Sequence, residues 1–267
     1  MAPTPTDGRA NTSDSLDAAG CEVRLDAVGN VAGRWTPASA APEAAPVAAG
    51  SHLDSVPDGG IFDGPLGVYA ALGAVRAMQD AGAEPTRAVE VVSFTEEEGA
   101  RFADGLLGSS VAAGDRAVEE ALALTDDEGT TLEAIEFRGE GRLDAAGWDG
   151  WLELHVEQHT ELEAAGVPAG IVTDVTGITH CAATVVGEPN HAGTTPMAER
   201  SDALAAASDV VLAVEGAAAD RATVDPAAVG TVGGSRSRRT PRTWSSAGSN
   251  SRSTSGATSP TPSSVSS

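Results

Sequence analysis

Apolar and polar positions along the chain change period several times, and each change marks an element. Residues 1–15 are polar and without pattern, and LDAAG at 16–20 reads as the end of a short helix. CEVRLDAVGNVAGRW then alternates as two strands around a Gly29-Asn30 turn. Ala45 to Gly50 is a short apolar strand that runs into the turn-rich stretch SHLDSVPDGGIFDG. Pro65 opens a helix to about Ala81, with Val68, Ala71, Leu72 and Val75 spaced for one buried face. Ala88 to Phe94 is a β-branched strand that ends in Thr95-Glu96-Glu97-Glu98. Strand, loop, helix, strand predicts an α/β fold with a mostly parallel sheet, whose ligands collect at the C-terminal ends of the strands.

Farther along, residues 113–147 read as acidic, helical surface, and Trp151 to Glu163 as a strand passing into a helix. From Gly170 the text alternates as strands in IVTDVTG and THCAATVVG. A helix from about Asp202 to Ala219 and the strand VGTVGG follow, which predicts a second, smaller α+β domain. At Ser235 the composition breaks. The last 33 residues hold 13 Ser, 5 Arg and no acid, whereas residues 1–234 hold all 39 acids and 11 Arg. Ser/Thr/Pro text of that kind buries no core, so 235–267 is expected to be disordered.

Charge narrows the class of partner. The 267 residues carry 39 acids against 16 basic side chains, all Arg, for a formal charge of −23. Such a field repels phosphate and excludes nucleic acid or an anionic membrane as partner. With 3% aromatics and no Lys, the composition fits a salt-adapted, halophilic cytoplasm. No apolar run reaches the roughly 18–20 residues of a membrane span, and the first fifteen residues lack the pattern of a signal peptide. Cys21 and Cys181 do not suggest a disulfide framework.

The residues that could do chemistry sit after strands. His52 and Asp54 alternate on an extended segment, so His52 can face a cleft while Asp54 points elsewhere or braces the imidazole. Asp63 lies 11 residues later at the end of a Gly-rich loop. Glu97 and Glu98 end a strand, and His155 has Glu157 and Gln158 beside it. Histidine with carboxylate suits zinc, and two sets sharing one carboxylate suit a dinuclear centre. Taken singly, each of these residues reads more readily as a hydrogen-bonded structural residue or cap, and three clusters at strand ends together bring the two readings level. Glu96 reads as a solvated neighbour, His159 as incidental and His180 as structural.

Four stretches together, GSHLDSVPDGGIFDGPLG, VEVVSFTEEEGARF, ELHVEQH and GEPNHAGTTPM, resemble in that order the amidohydrolase branch of the zinc aminoacylase/carboxypeptidase superfamily. That branch includes N-carbamoyl-L-amino acid hydrolase, allantoate amidohydrolase and β-ureidopropionase. The resemblance covers about residues 16–234. It implies a zinc-peptidase-like catalytic domain over 16–168 and part of an inserted lid and dimerisation domain over 169–234. It also implies hydrolysis of a C–N bond in a small carbamoyl or ureido compound by zinc-activated water. His52, Asp63 and His155 would hold one zinc, with Asp63 bridging to a second that Glu98 also binds; Mn, Co or Ni are substitutes. Glu97 would be the general base, Asp54 would orient His52, Gln158 would contact substrate, and His191 would stabilise the oxyanion. Intact relatives would be homodimers through the lid. An aminoacylase or dipeptidase is the first rival reading, which the His in ELHVEQ disfavours; a catalytically dead metal-binding remnant is the second.

The resemblance stops at Gly234. The relatives' C-terminal His for the second zinc, a lid Asn and a substrate-clamping Arg have no counterpart in the text that follows. Skipping two bases of GC-rich codons from Ser235 restores acidic, strand-like text with N-x-x-N-V-V and D-I-R elements. A frameshift and an impaired copy are therefore expected, with VGTVGG left as an unpaired edge.

Overall fold

The computed structural model describes residues 5–103, 105–237 and 248–257. The chain divides into two compact units, Met1–Gly166 and Val167–Ser267.

In the first unit, five strands form one sheet in the order β1-β2-β4-β3-β5. They are β1 (Glu22–Leu25), β2 (Val31–Trp35), β3 (Val47–His52), β4 (Val89–Phe94) and β5 (Gly150–Leu152). The sheet is mixed. β3 runs parallel to both β4 and β5, whereas the β1–β2 hairpin joins β4 antiparallel. The α/β class predicted from the periodicities holds, and the parallel pairing is found in the half that carries the candidate site. Alternation along β2 and β4 sends Val31 and Val91 to one face and Ala32 and Val92 to the other. On the first face they meet Leu16 at the end of α1 (Pro5–Asp17) and Ala71, Leu72 and Val75 of α2 (Pro65–Asp80). On the second they meet Ala112 of α3 (Leu107–Ala113), Leu143, Trp148 and Trp151. Two helical layers thus bury a central sheet.

The β3–β4 contact is close. A Cβ on Gly50 would lie 1.8 Å from the Val92 carbonyl oxygen, a backbone atom that cannot swing away. Gly50→Ala is expected to destabilise the first unit by about 3 kcal/mol, the upper end of ordinary overpacking, read as a lowered denaturation midpoint.

Three segments differ from the sequence reading. The polar N-terminus is helical from Pro5, because tertiary contacts supply what its pattern lacks. Leu16 is fully buried in the core, and the Thr12 and Tyr69 hydroxyls lie 3.2 Å apart. Residues 113–147 are neither mainly helical nor all surface. Past α3 they hold α4 (Val118–Leu122) and short single turns, and Ala121, Leu132 and Leu143 are buried. Glycines at 114, 129, 139 and 141 interrupt the helical text. Residues 171–176 form no strand, and Ile171 is 93% exposed.

The second unit carries β6 (Gly177–Val186), α6 (Ala203–Ala222), β7 (Val229–Ser237) and β8 (Gly248–Ala257), with α5 (Glu161–Ala165) ending the first. Asp202 caps α6 by accepting from the Leu204 and Ala205 amides. The three strands are antiparallel in the order β6-β8-β7. This corrects the expectation for the tail. Residues 248–257 form a strand between two neighbours, and β7 is not left unpaired on that side. Ladder bonds use backbone groups that every non-proline residue carries, and GSNSRSTSGA has no proline. The rest of the expected disorder, at 238–247 and 258–267, lies outside the described residues. Among the described residues, no helix is long and apolar enough to cross a membrane.

Candidate metal and catalytic site

Parallel pairing brings the C-terminal ends of β4, β3 and β5 side by side. His52 is the last residue of β3, in register with Phe94 at the end of β4. β4 then leads into the acidic loop Thr95-Glu96-Glu97-Glu98, and β5 leads into His155. Asp63 reaches the same place from the loop before α2. One ligating atom from each of His52, Asp63 and His155 lies within 4.8 Å of the other two.

Each imidazole is set by a backbone carbonyl. His52 Nδ1 lies 2.7 Å from the Asp54 carbonyl oxygen, and His155 Nδ1 lies 3.0 Å from that of Val156. A carbonyl only accepts, so each Nδ1 carries the proton and each Nε2 presents its lone pair. His155 Nε2 is 3.2 Å from Asp63 Oδ1, close to the edge of a zinc tetrahedron with bonds of about 2.0–2.1 Å. His52 Nε2 faces Glu98 Oε1 at 3.7 Å. A buried imidazole and a buried carboxylate joined by an exposed imidazole are a donor set that fits a divalent cation.

Gly64 makes room for this arrangement. Its φ is +82°, and a Cβ there would lie 2.4 Å from His52 Nδ1. The acidic loop has its own bend at Glu96, a non-glycine residue at φ +58°. Glu96 Oε1 accepts from the Arg101 amide at 2.5 Å. Glu96 is thus a turn-former, where the sequence suggested only a solvated neighbour. The amides of Leu106, Leu107 and Gly108 bond the carbonyls of Glu97, Glu96 and Thr95, pinning the loop from outside.

Of the carboxyls, Glu97 is pushed up in pKa by burial, against the pull of Ser109, whose amide donates to Oε1 at 2.8 Å. Glu98 is raised by burial and by the neighbouring charge of Asp63. The Asp54 carboxylate does not take the His52 proton. Its Oδ2 accepts from the Glu98 amide at 2.9 Å, and its Oδ1 lies 3.8 Å from His52 Nδ1. Its bracing of His52 runs through the main chain. Gln158 donates to Asp63 Oδ1 at 3.2 Å. His191 belongs to the second unit, where its Nδ1 accepts from the Gly193 and Thr194 amides at 3.1 Å each.

Sequence reading passed over two supports. Ser51 donates to Glu153 Oε1 at 2.5 Å, tying β3 to the segment after β5. Asn30, fully buried, donates to Asp26 Oδ2 and the Gly108 carbonyl and accepts from the Thr95 amide. The only signal for Asn30 was its place after Gly29, which reads as turn chemistry.

A mixed-sheet α/β unit thus gathers, beside its strand ends, a His/Asp/His group that could hold a metal ion. Residues 48–262 match Peptidase family M20/M25/M40, and the chain belongs to that family. It is 44% identical over 223 residues to an N-carbamoyl-L-amino acid amidohydrolase of Geobacillus stearothermophilus, covering 80% of this chain and 53% of the relative. It is 35% identical over 212 residues to an allantoate deiminase of Arabidopsis thaliana, covering 75% and 40%. A hydantoinase/carbamoylase family amidase from Burkholderia vietnamiensis superposes with a TM-score of 0.85 at 36% identity, covering 94% of this chain and 60% of that one. The chain spans about half the length of the curated relatives it matches. The family is one of enzymes, and the relatives that this chain matches include amidohydrolases.

Proposed function

We propose that this chain forms the metal-binding half of a hydrolase that cuts C–N bonds in N-carbamoyl-L-amino acids or ureido compounds such as allantoate. The observation that carries the reading is the convergence of His52, Asp63 and His155 beside two acidic side chains at the strand ends. The relatives' names supply the substrate class. In this reading His52, Asp63 and His155 hold zinc, for which manganese, cobalt or nickel could substitute, and Asp63 also serves a second ion with Glu98. A divalent cation there supplies Lewis-acid polarisation and makes water a nucleophile at neutral pH.

The protein's own part is proton and charge handling. Glu97 is the base: Ser109 orients its carboxylate, with its amide on Oε1, and that carboxylate takes the proton of the attacking water. A carboxylate that ligates a cation is a poor base, which divides the labour between Glu98 and Glu97. His191 is the oxyanion donor. Two amides at Nδ1 put its proton on Nε2, so the ring can donate to an oxygen on which charge develops. Asp54 fixes the Glu98 backbone, and Gln158, held on Asp63, is placed to meet substrate. A homodimer through the second unit belongs to the same reading, as does a cytoplasmic, salt-adapted setting for so acidic a chain.

The test is ammonia release from N-carbamoyl-L-amino acids, ureidoglycolate and allantoate by a zinc-loaded version with the reading frame restored after Gly234, since the 267-residue chain itself is expected to be impaired. Glu97→Gln is expected to lower that rate by about 10²–10⁴-fold while zinc content stays unchanged. A folded, zinc-loaded protein that cleaves dipeptides or N-acetyl amino acids and leaves carbamoyl compounds intact would overturn the substrate class.

A further inference from the structure

The acidic loop carries more negative charge than its neighbours offset. Asp54, Asp63, Glu96, Glu97 and Glu98 crowd the ends of β3 and β4, and Asp54 Oδ1 is buried with no hydrogen-bond partner. Arg101 is within electrostatic reach but is turned to Asp126, 2.9 Å from Nε. Arg9, more than forty residues upstream of every one of these acids, approaches from α1. Its guanidinium donates to Thr95 Oγ1 at 3.4 Å and stacks over the Phe137 ring at 5.2 Å. A Cβ on Gly29 would meet Arg9 at 2.7 Å, so the β1–β2 turn also walls it in. From there its charge acts on Asp54 and Glu96.

We propose that Arg9 is a positioning residue that holds the Thr95–Glu98 loop and the Asp54 carboxylate in the arrangement that receives the metal ion. The chain of contact is short. Arg9 holds Thr95, the first residue of the loop; Asp54 holds the Glu98 amide, near the loop's other end. Without a cation among them, the five carboxyls repel one another, and a partly buried guanidinium opposes that repulsion before metal arrives. The stacking on Phe137 leaves the planar fork few orientations, so little order is lost on holding Thr95. α1 is thereby tied to the site and is more than a packing helix. The role rests on the metal-site reading above, and it adds a residue that touches neither metal nor substrate.

The experiment is titration of the metal-free 267-residue protein with Co²⁺, followed by visible absorption and by calorimetry. Folding of each variant is checked by circular dichroism. Arg9→Gln is expected to weaken Co²⁺ binding by about 10–100-fold, as loss of a supporting residue does, and to shift the ligand-field bands. Arg9→Lys keeps the charge and should recover most of the affinity. Thr95→Val, nearly isosteric, removes only the hydrogen bond and should give a smaller loss of the same sign, which covers the case of an Arg9→Gln protein that does not fold. Folded Arg9→Gln protein with wild-type affinity and spectrum overturns the inference. Wild-type protein that binds no Co²⁺ overturns the metal site itself, a separate result.

Discussion

Asp63→Ala removes metal from the folded protein. The wild-type chain is expected to retain about one zinc after dialysis, since among the described residues one group of three ligands converges. Asp63 is the one carboxylate in that group, 3.2 Å from His155 Nε2. It also accepts from Gln158 and sits 3.5 Å from the Ser55 hydroxyl. Without it the two imidazoles face each other with no anion between them, and zinc affinity should fall by more than the roughly 100-fold that loss of a merely supporting residue costs. Competition with a chromogenic chelator reads the affinity, and circular dichroism confirms the fold. Zinc held by Asp63→Ala as tightly as by wild type would show that the ligands lie elsewhere.

The second large effect is on stability. Asn30→Ala should lower unfolding free energy by about 3 kcal/mol, because it strands the Thr95 amide in the interior at about 1–3 kcal/mol and takes one of two donors from the Gly108 carbonyl, which keeps its bond within α3. Asp26 also loses one of its donors; it keeps the amides of Val28, Asn30 and Leu143. Urea denaturation should show a lower midpoint with an unchanged slope, the signature of altered stability alone. A midpoint within about 0.5 kcal/mol of wild type would mean that water replaces the amide group. Since Thr95 begins the acidic loop, the same variant should also weaken metal binding.

Much of the site was legible because it follows strand ends. Strand text before His52 and before Glu97 placed both where parallel sheets gather ligands, and His155 followed from the strand-like WLEL. What could not be read was the support, which depends on contacts across long sequence separations. Asn30 looks like any turn asparagine until α3 brings Gly108 to it, 78 residues away. Glu96 looks solvated until the φ of +58° shows it turning the chain. The helix over Pro5–Asp17 has no amphipathic pattern, and its place is set by partners such as Tyr69 and Thr95. Residues 248–257 misled for the opposite reason: Ser-rich text gives no periodicity, yet pairing on both sides needs only backbone. Alternation in IVTDVTG suggested a strand that, among the described residues, has no partner to pair with.

The carbonyls that orient the two imidazoles have a consequence for how such a site ages over many generations. Oxygen atoms of the main chain at Asp54 and Val156 belong to every amino acid, so no codon change can delete them. Drift at those two positions can swap side chains while both rings keep their tilt and their proton. Vulnerability moves instead to Gly64, where any other residue would bring a Cβ against His52. Copies decaying without selection should therefore lose the loop glycine or a ligand outright, and seldom pass through a stage in which the rings are merely misaimed.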